Sequence, residues 1–364
     1  MKAAVVNEAG APFTVQEIQI AAPIGSEVLI DVQASGLCHS DLSARIFGIG
    51  GAFPAVFGHE VAGIVAAVGP DVTEFVPGDH VVGSLIQSCG ECLHCLAGDL
   101  VNCEHPERTE RSAEQEPRLS LDGQALTQGM ALGGFAQQAL IHARQLAKVP
   151  EDLPWAQAAL IGCGVLTGAG AVLNTANVKQ GETVVIIGAG GVGLNAISGA
   201  VVAGATRIIV TDIEDGKLER AKRFGATHVI NSANTDPVAA VLELTDGGAP
   251  HVFDFVGAAP TLKQAIGMVE QGGTMYIIGI GGPTASLEIN ALEFLVGRKN
   301  IRTVYMGHSD MKRDIPMYAE LYRQGRFNLD ELVSKEISLS QIDEGYESLK
   351  DGSIARVVVT DLER

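Results

Sequence analysis

The sequence predicts a β-rich, barrel-like domain followed by a doubly wound α/β domain, with a final segment available to rejoin the first. Three observations carry this. A length of 364 residues exceeds the size at which one hydrophobic core usually divides. Residues 1 to about 150 show short apolar runs between turns and no sustained helical period. From Gly181 the rhythm changes to alternating strand and helix, the pattern of a parallel sheet covered on both faces.

In order, residues 27–32, 61–68 and 80–83 read as strands, separated by turns such as Gly69-Pro70-Asp71 and Pro77-Gly78-Asp79. Residues 104–128 are polar and break the pattern, so a surface loop is expected there. Two runs without charge, 153–178 and 183–206, are long enough to raise the question of a membrane span. Their glycines, with Pro154, Gln157, Asn174 and Asn195, favour buried strand, turn and helix instead. Residues 183–187 form an apolar β-branched strand, and an alanine-rich helix follows that ends near Gly204. Strands at 207–211 and 229–230, a helix at 216–224 stopped by Gly225, and a helix opened by Asp236-Pro237 come next. Strands at 251–254, 274–278 and 300–305 complete a six-stranded parallel sheet, with a helix over 260–270 closed by Gly272-Gly273. Helical pieces at 315–323 and 340–350 precede a last strand at 355–359.

Lys plus Arg is 25 and Asp plus Glu is 43, a net charge of −18 that repels nucleic acid and anionic membranes. The N-terminal stretch meets Glu8 after four apolar residues, too short a run for a signal-peptide core, so a cytoplasmic protein is expected. No membrane or nucleic-acid partner is expected.

The chemistry lies in three constellations. Gly188, Gly190, Gly191, Val192 and Gly193 follow a strand and open a helix, where backbone can approach a pyrophosphate at the helix N-terminus. Asp212, 24 residues after Gly188, closes the second strand, where a carboxylate bonds an adenosine ribose and repels a 2′-phosphate. NAD is therefore favoured over NADP, with Lys217 a candidate for the same ribose. Cys89, Cys92, Cys95 and Cys103 put four soft ligands within fifteen residues, enough to enclose one tetrahedral zinc at Zn–S distances of ~2.3 Å. Cys38, His59 and Cys163 are dispersed, but two thiolates and an imidazole would leave a zinc one open position for chemistry. Four plus two uses every thiol in the chain.

These residues resemble the zinc-dependent medium-chain alcohol dehydrogenases along nearly the whole chain. The likeness rests on the 38–41 segment, Gly58-His59-Glu60 with Val61-Ala62-Gly63, the four-cysteine lobe, the run 162–168 beginning Gly162-Cys163-Gly164, and the 188–212 unit. It implies a GroES-like, partly open β-barrel catalytic domain at 1–164, a Rossmann NAD-binding domain at 165–304, and a return segment at 305–364. It implies a catalytic zinc on Cys38, His59 and Cys163 and a structural zinc on Cys89, Cys92, Cys95 and Cys103, two zinc ions per subunit. Glu60 would stand behind the catalytic zinc, and Asp41 would orient His59. Zinc would act on the alcohol oxygen as a Lewis acid, Ser40 would take its proton, and hydride would pass to the nicotinamide. Thr167 would pack beside the nicotinamide, backbone groups of Ile278, Thr303 and Tyr305 would hold its carboxamide, and His39 and Arg356 would lie near the cofactor phosphates.

The chain also departs from the family. Ser43 stands where many relatives carry the histidine that ends the proton relay. By position, Ile49, Leu85, Ala131, Leu132 and Ile280 would line an apolar pocket suited to aromatic or medium aliphatic alcohols, primary or secondary, and their aldehydes or ketones. Residues 45–57 contain no acid, which disfavours the glutathione adduct of formaldehyde as substrate. Two competing readings are an NADPH-dependent carbonyl reductase, opposed by Asp212, and a catalytically silent dinucleotide-binding protein, opposed by the open ligand set. The long 104–128 segment resembles dimeric relatives, so a homodimer is expected, with a tetramer the alternative.

Overall fold

The computed structural model describes residues 1–48, 51–282 and 285–363. The chain divides into two compact units, Met1–Gly164 with Asp310–Arg364, and Val165–Ser309. Residues 305–309, expected in the return segment, belong to the second unit. There Met306–His308 packs on the helix Leu166–Gly170, and a Cβ at Gly307 would collide with the Leu166 carbonyl.

In the first unit the long strand Glu27–Gly36 is the spine of a largely antiparallel sheet. It pairs with Glu60–Val68, Gln138–His142 and the returning strand Arg356–Asp361. His80–Gly83 and Leu146–Lys148 extend the sheet on one side and Val333–Ser338 on the other. Alternating Val28, Ile30 and Val32 face a core shared with Val61, Val65, Val81, Phe57 and Phe135, as the two-residue period of a strand requires.

The 104–128 segment is more structured than a plain surface loop. Its strands Leu119–Leu121 and Gln124–Ala125 form a small sheet with Gln19–Ile20. Glu27, 4% exposed, accepts from Arg111 Nε at 2.8 Å and Arg118 Nε at 2.7 Å. The Ile24 N–H and the Arg118–Thr109 carbonyl bond complete the clasp. Polar residues are here because the segment is tied down by charge.

The second unit is a parallel sheet, six-stranded among the described residues. Its order is His228–Asn231, Arg207–Asp212, Thr183–Ile187, Ala249–Asp254, Val269–Ile277, Asn300–Thr303. The direction of winding reverses between Thr183–Ile187 and Ala249–Asp254, the position at which such sheets bind ligands. Asp236 caps Pro237–Thr245 by accepting from Val238 and Ala239 N–H, worth ~1 kcal/mol. Two expectations need correcting. The helix expected at 260–270 spans Ala259–Met268, and Gly272-Gly273 lies inside the strand Val269–Ile277, where a register irregularity absorbs it. The run 153–178 is one helical stretch, Trp155–Thr175, and not strand, turn and helix. It is long and apolar enough to cross a membrane, yet 83% of its most apolar window is buried inside the protein.

Burial alone would raise the Glu27 pKa, but Arg111, the Ile24 N–H and Arg118 outweigh it and hold it below the ordinary value of 4.5. The clasp is therefore fully stabilising above about pH 4.5 and is lost as pH falls through the lower folded value. Glu27→Gln leaves two buried guanidiniums without their anion, a loss of about 3–5 kcal/mol. The gap in thermal unfolding midpoint between wild type and Glu27→Gln should be widest near neutrality and close on acidification; a gap constant with pH would contradict the clasp.

Candidate active site and dinucleotide site

Strand register builds the first site. Gly36 pairs with Glu60, so Cys38, just beyond one strand, and His59, just before the other, emerge side by side. Cys163 arrives on the helical stretch through a widened π turn, Ile161–Val165, a local feature often found at functional positions. That turn presses on the strand His80–Gly83 so closely that a Cβ at Gly162 would collide with the Gly83 carbonyl. The result is a buried cluster of Cys38, His59, Glu60 and Cys163 whose ligand atoms all lie within 4.8 Å of one another. His59 Nε2 is 3.2 Å from Cys163 Sγ, and on the far side of the ring Nδ1 is 2.8 Å from Asp41 Oδ2. Asp41 is itself held by the Gly58 N–H at 3.2 Å.

Ser40 Oγ lies 3.7 Å from Cys38 Sγ and is half-buried, while His39 is exposed. Glu60 is fully buried, burial pushes its pKa up to about 7, and neither carboxylate oxygen has a hydrogen-bond partner among the described residues. Two buried sulfurs, an imidazole with a fixed ring and an orphaned carboxylate are a donor set that fits zinc. Arg356, expected near the cofactor phosphates, stands beside Glu60. It is 4% exposed, with Nη2 3.7 Å from Glu60 and Nη1 donating to the Leu37 carbonyl, because the buried carboxylate draws it in. Tyr346, which sequence reading missed, donates to the Cys38 carbonyl at 3.2 Å. It comes from the return segment, so no local signal marks it.

Cys89, Cys92, Cys95 and Cys103 also converge, with their sulfurs within 4.8 Å of one another and no disulfide. Backbone N–H groups point at them: Cys89 to Cys103 Sγ at 3.2 Å, Cys92 to Cys89 Sγ at 3.3 Å, and His105 to Cys103 Sγ at 3.3 Å. Such donors favour the thiolate form that a metal requires. All four ligand positions are filled by protein, so this set suits a closed structural centre.

In the second unit the turn 188–193 links Thr183–Ile187 to the helix Gly191–Ala203. Gly193 has no room for a side chain, since its Cβ would collide with the Gly188 carbonyl, whereas Gly190 faces open space. Asp212 accepts from Ala189 N at 2.8 Å and from Ile213 N at 2.7 Å, which aims its carboxylate beside the turn. Lys217 pairs with Glu214 at 2.6 Å. Thr167 donates to Met306 Sδ at 3.5 Å, Ile278 N–H donates to the Asp254 carbonyl, and Thr303 and Tyr305 are exposed.

The described residues expected to line the pocket differ in exposure. Leu132 is fully buried in the barrel core and Ala131 is 5% exposed beside it, so neither presents a surface. Leu85 packs partly buried on that core, Ile280 is 81% exposed, and Ile49 lies outside the described residues.

Comparison with known proteins agrees with this geometry. Residues 25–151 match the family model described as alcohol dehydrogenase GroES-like domain, and 191–320 match zinc-binding dehydrogenase. The chain is 33% identical to an alcohol dehydrogenase class-P of Arabidopsis thaliana, over 99% of this chain and 97% of that protein. Among solved structures, an alcohol dehydrogenase zinc-binding domain protein from Burkholderia ambifaria superposes with a TM-score of 0.94 at 37% identity, covering 99% and 98% of the two chains. A benzyl alcohol dehydrogenase from Acinetobacter calcoaceticus gives 0.93 at 36% identity, covering 99% of each.

Gly193→Ala tests the turn. Forcing a methyl against the Gly188 carbonyl should cost about 1–3 kcal/mol of stability and pry the helix from the strand. A lowered unfolding midpoint is expected, and an unchanged midpoint would show that the turn has slack.

Proposed function

Since the chain belongs to the zinc-dependent medium-chain alcohol dehydrogenase family, an oxidoreductase acting on alcohols with zinc and a nicotinamide dinucleotide, we propose that it oxidises primary or secondary alcohols, aromatic or medium aliphatic, with NAD as hydride acceptor. The observation that carries this reading is the buried convergence of Cys38, His59 and Cys163, with Asp41 fixing the imidazole. The likeness to a benzyl alcohol dehydrogenase supports aromatic substrates.

Zinc held by Cys38, His59 and Cys163 would supply a Lewis acid for the alcohol oxygen, and NAD a hydride acceptor. Asp41 keeps Nδ1 of His59 engaged, so that Nε2 faces the sulfurs and the ring stays oriented. Ser40, beside Cys38, relays the alcohol proton: Oγ accepts it as its own hydroxyl proton passes on, and its partial exposure lets that second proton go to solvent without a histidine at position 43. The pairing of Glu60 with Arg356 balances charge behind the thiolates. Asp212, held by backbone N–H groups, receives the adenosine ribose hydroxyls and repels a 2′-phosphate. The four-cysteine lobe holds the second zinc.

The homodimer is supported by the helix Ala291–Gly297, where Leu292, Leu295 and Val296 are 69%, 73% and 64% exposed. Beside it in the chain, the strand Asn300–Thr303 is an edge strand of the sheet. An apolar face next to an unpaired edge suits a second copy of this chain.

Elemental analysis should find about two zinc per chain, one for each ligand set. In a panel of primary, secondary and aromatic alcohols, kcat/KM should favour NAD over NADP by ~100-fold, the effect of one repelled phosphate at ~2.7 kcal/mol. About one zinc, or a preference for NADP, would overturn the reading. Leu295→Asp, which places a charge on the exposed face, should halve the mass seen by light scattering; an unchanged mass would move the interface elsewhere.

A further inference from the structure

Asp254 ends the strand Ala249–Asp254 directly opposite Ile187, at the point where the sheet reverses its winding. It is fully buried, and a carboxylate there is costly unless it is used. Its Oδ1 accepts from Val256 N at 2.8 Å and Gly257 N at 3.1 Å, and its Oδ2 accepts from the Thr261 hydroxyl at 2.9 Å. Its backbone carbonyl accepts from Ile278 N at 3.0 Å and Gly279 N at 2.9 Å. One residue thus grips two loops, the turn 255–257 with its side chain and the segment after Val269–Ile277 with its backbone.

The turn 255–257 is wedged between two other loops. On one side, Phe255 N–H donates to Ile187 O at 3.0 Å, and a Cβ at Gly188 would come within 2.8 Å of Val256 Cγ2. On the other, a Cβ at Gly257 would collide with the Gly279 carbonyl, and one at Gly281 with the Gly257 carbonyl. Backbones this close transmit a shift of one loop to the next. All three loops leave the carboxyl ends of central parallel strands, where dinucleotides bind.

We propose that Asp254 is a positioning residue for the dinucleotide: by accepting the Val256 and Gly257 N–H groups it sets the spacing between the turn that receives the pyrophosphate and the Ile278 segment that receives the nicotinamide carboxamide. This rests on the dinucleotide reading above. Asparagine at 254 keeps an oxygen for the two N–H groups, and its amide can donate to Thr261 Oγ1. Alanine leaves the Val256 and Gly257 N–H groups without their acceptor, while the Thr261 hydroxyl keeps only the Ala258 carbonyl, and the turn can drift.

The test is NADH binding by fluorescence titration on the full-length, zinc-loaded wild type and the Asp254→Ala, Asp254→Asn and Thr261→Val variants, with KM for NAD, kcat, zinc content and unfolding midpoint alongside. Asp254→Ala should weaken NADH by ~10–100-fold and raise KM for NAD more than it lowers kcat, with zinc content unchanged. Asp254→Asn should stay within ~3-fold of wild type, and Thr261→Val, which removes one of three donors, should fall between them. Wild-type NADH affinity in Asp254→Ala, or equal weakness in Asp254→Asn, overturns the proposal. So does a lowered unfolding midpoint with KM unmoved, which marks a merely structural group. If Asp254→Ala does not fold, Thr261→Val decides, and its binding NADH as wild type does overturns the proposal. A wild-type chain that binds neither NADH nor NADPH overturns the dinucleotide reading itself and this proposal with it, an outcome distinct from the others.

Discussion

Gly36 stands opposite Glu60 in an antiparallel pairing interrupted by two register irregularities, and this pair brings Cys38 and His59 to the same place. The core enforces it. A slip of one residue would turn Val28, Ile30 and Val32 away from the barrel interior, where all are now at most 4% exposed. Each such side chain is worth about 1.5–3 kcal/mol when fully buried. Together they outweigh the few kcal/mol of placing two thiols and an imidazole beside one another without water. Geometry at the reactive cluster is thus specified by ordinary aliphatic packing, and the ligands are gathered by the strands rather than by a loop that must close around a metal.

The two ligand sets answer to different physics. Four cysteines within fifteen residues need only a short lobe and a few backbone N–H groups aimed at sulfur. They fill every position of a tetrahedral ion and leave none for a substrate. The dispersed set draws on two strands, a π turn, the returning strand, whose Arg356 stands behind Glu60, and the helix Ile342–Ser348, whose Tyr346 holds the Cys38 carbonyl. Density of signal in the sequence therefore runs opposite to chemical importance. A compact motif is easy to see because it is self-sufficient, and the reactive site is hard to see because the whole unit builds it.

What was legible in the sequence follows the same line. The strands His80–Gly83 and Thr183–Ile187, the Asp236 cap and the Gly204 stop were readable because period, cap and turn chemistry are local. The helix Trp155–Thr175 was not, because a segment buried on all sides shows no amphipathic period to separate helix from strand. Gly272-Gly273 reads as a helix stop in isolation, but pairing with the neighbouring strand carries the chain through it. The two candidate ligand sets stood out by residue chemistry and by resemblance, and the fold brings each of them together. Leu132 was misplaced because its direction depends on a core assembled from partners far away in sequence, and the pairing of Arg356 with Glu60 went unread for the same reason.

The glycine turn of the second unit is built on backbone geometry. Lys217, expected to share the ribose, is paired with Glu214 at 2.6 Å. The turn 188–193 opens the helix Gly191–Ala203, whose aligned dipoles present about half a positive charge at its N-terminus, where an anion can be met by N–H donors. Such donors act only at short range and only in fixed positions. The close approaches at Gly193 and Gly188 matter for that reason: a turn that would meet an anion through backbone geometry depends on the packing that holds the backbone still.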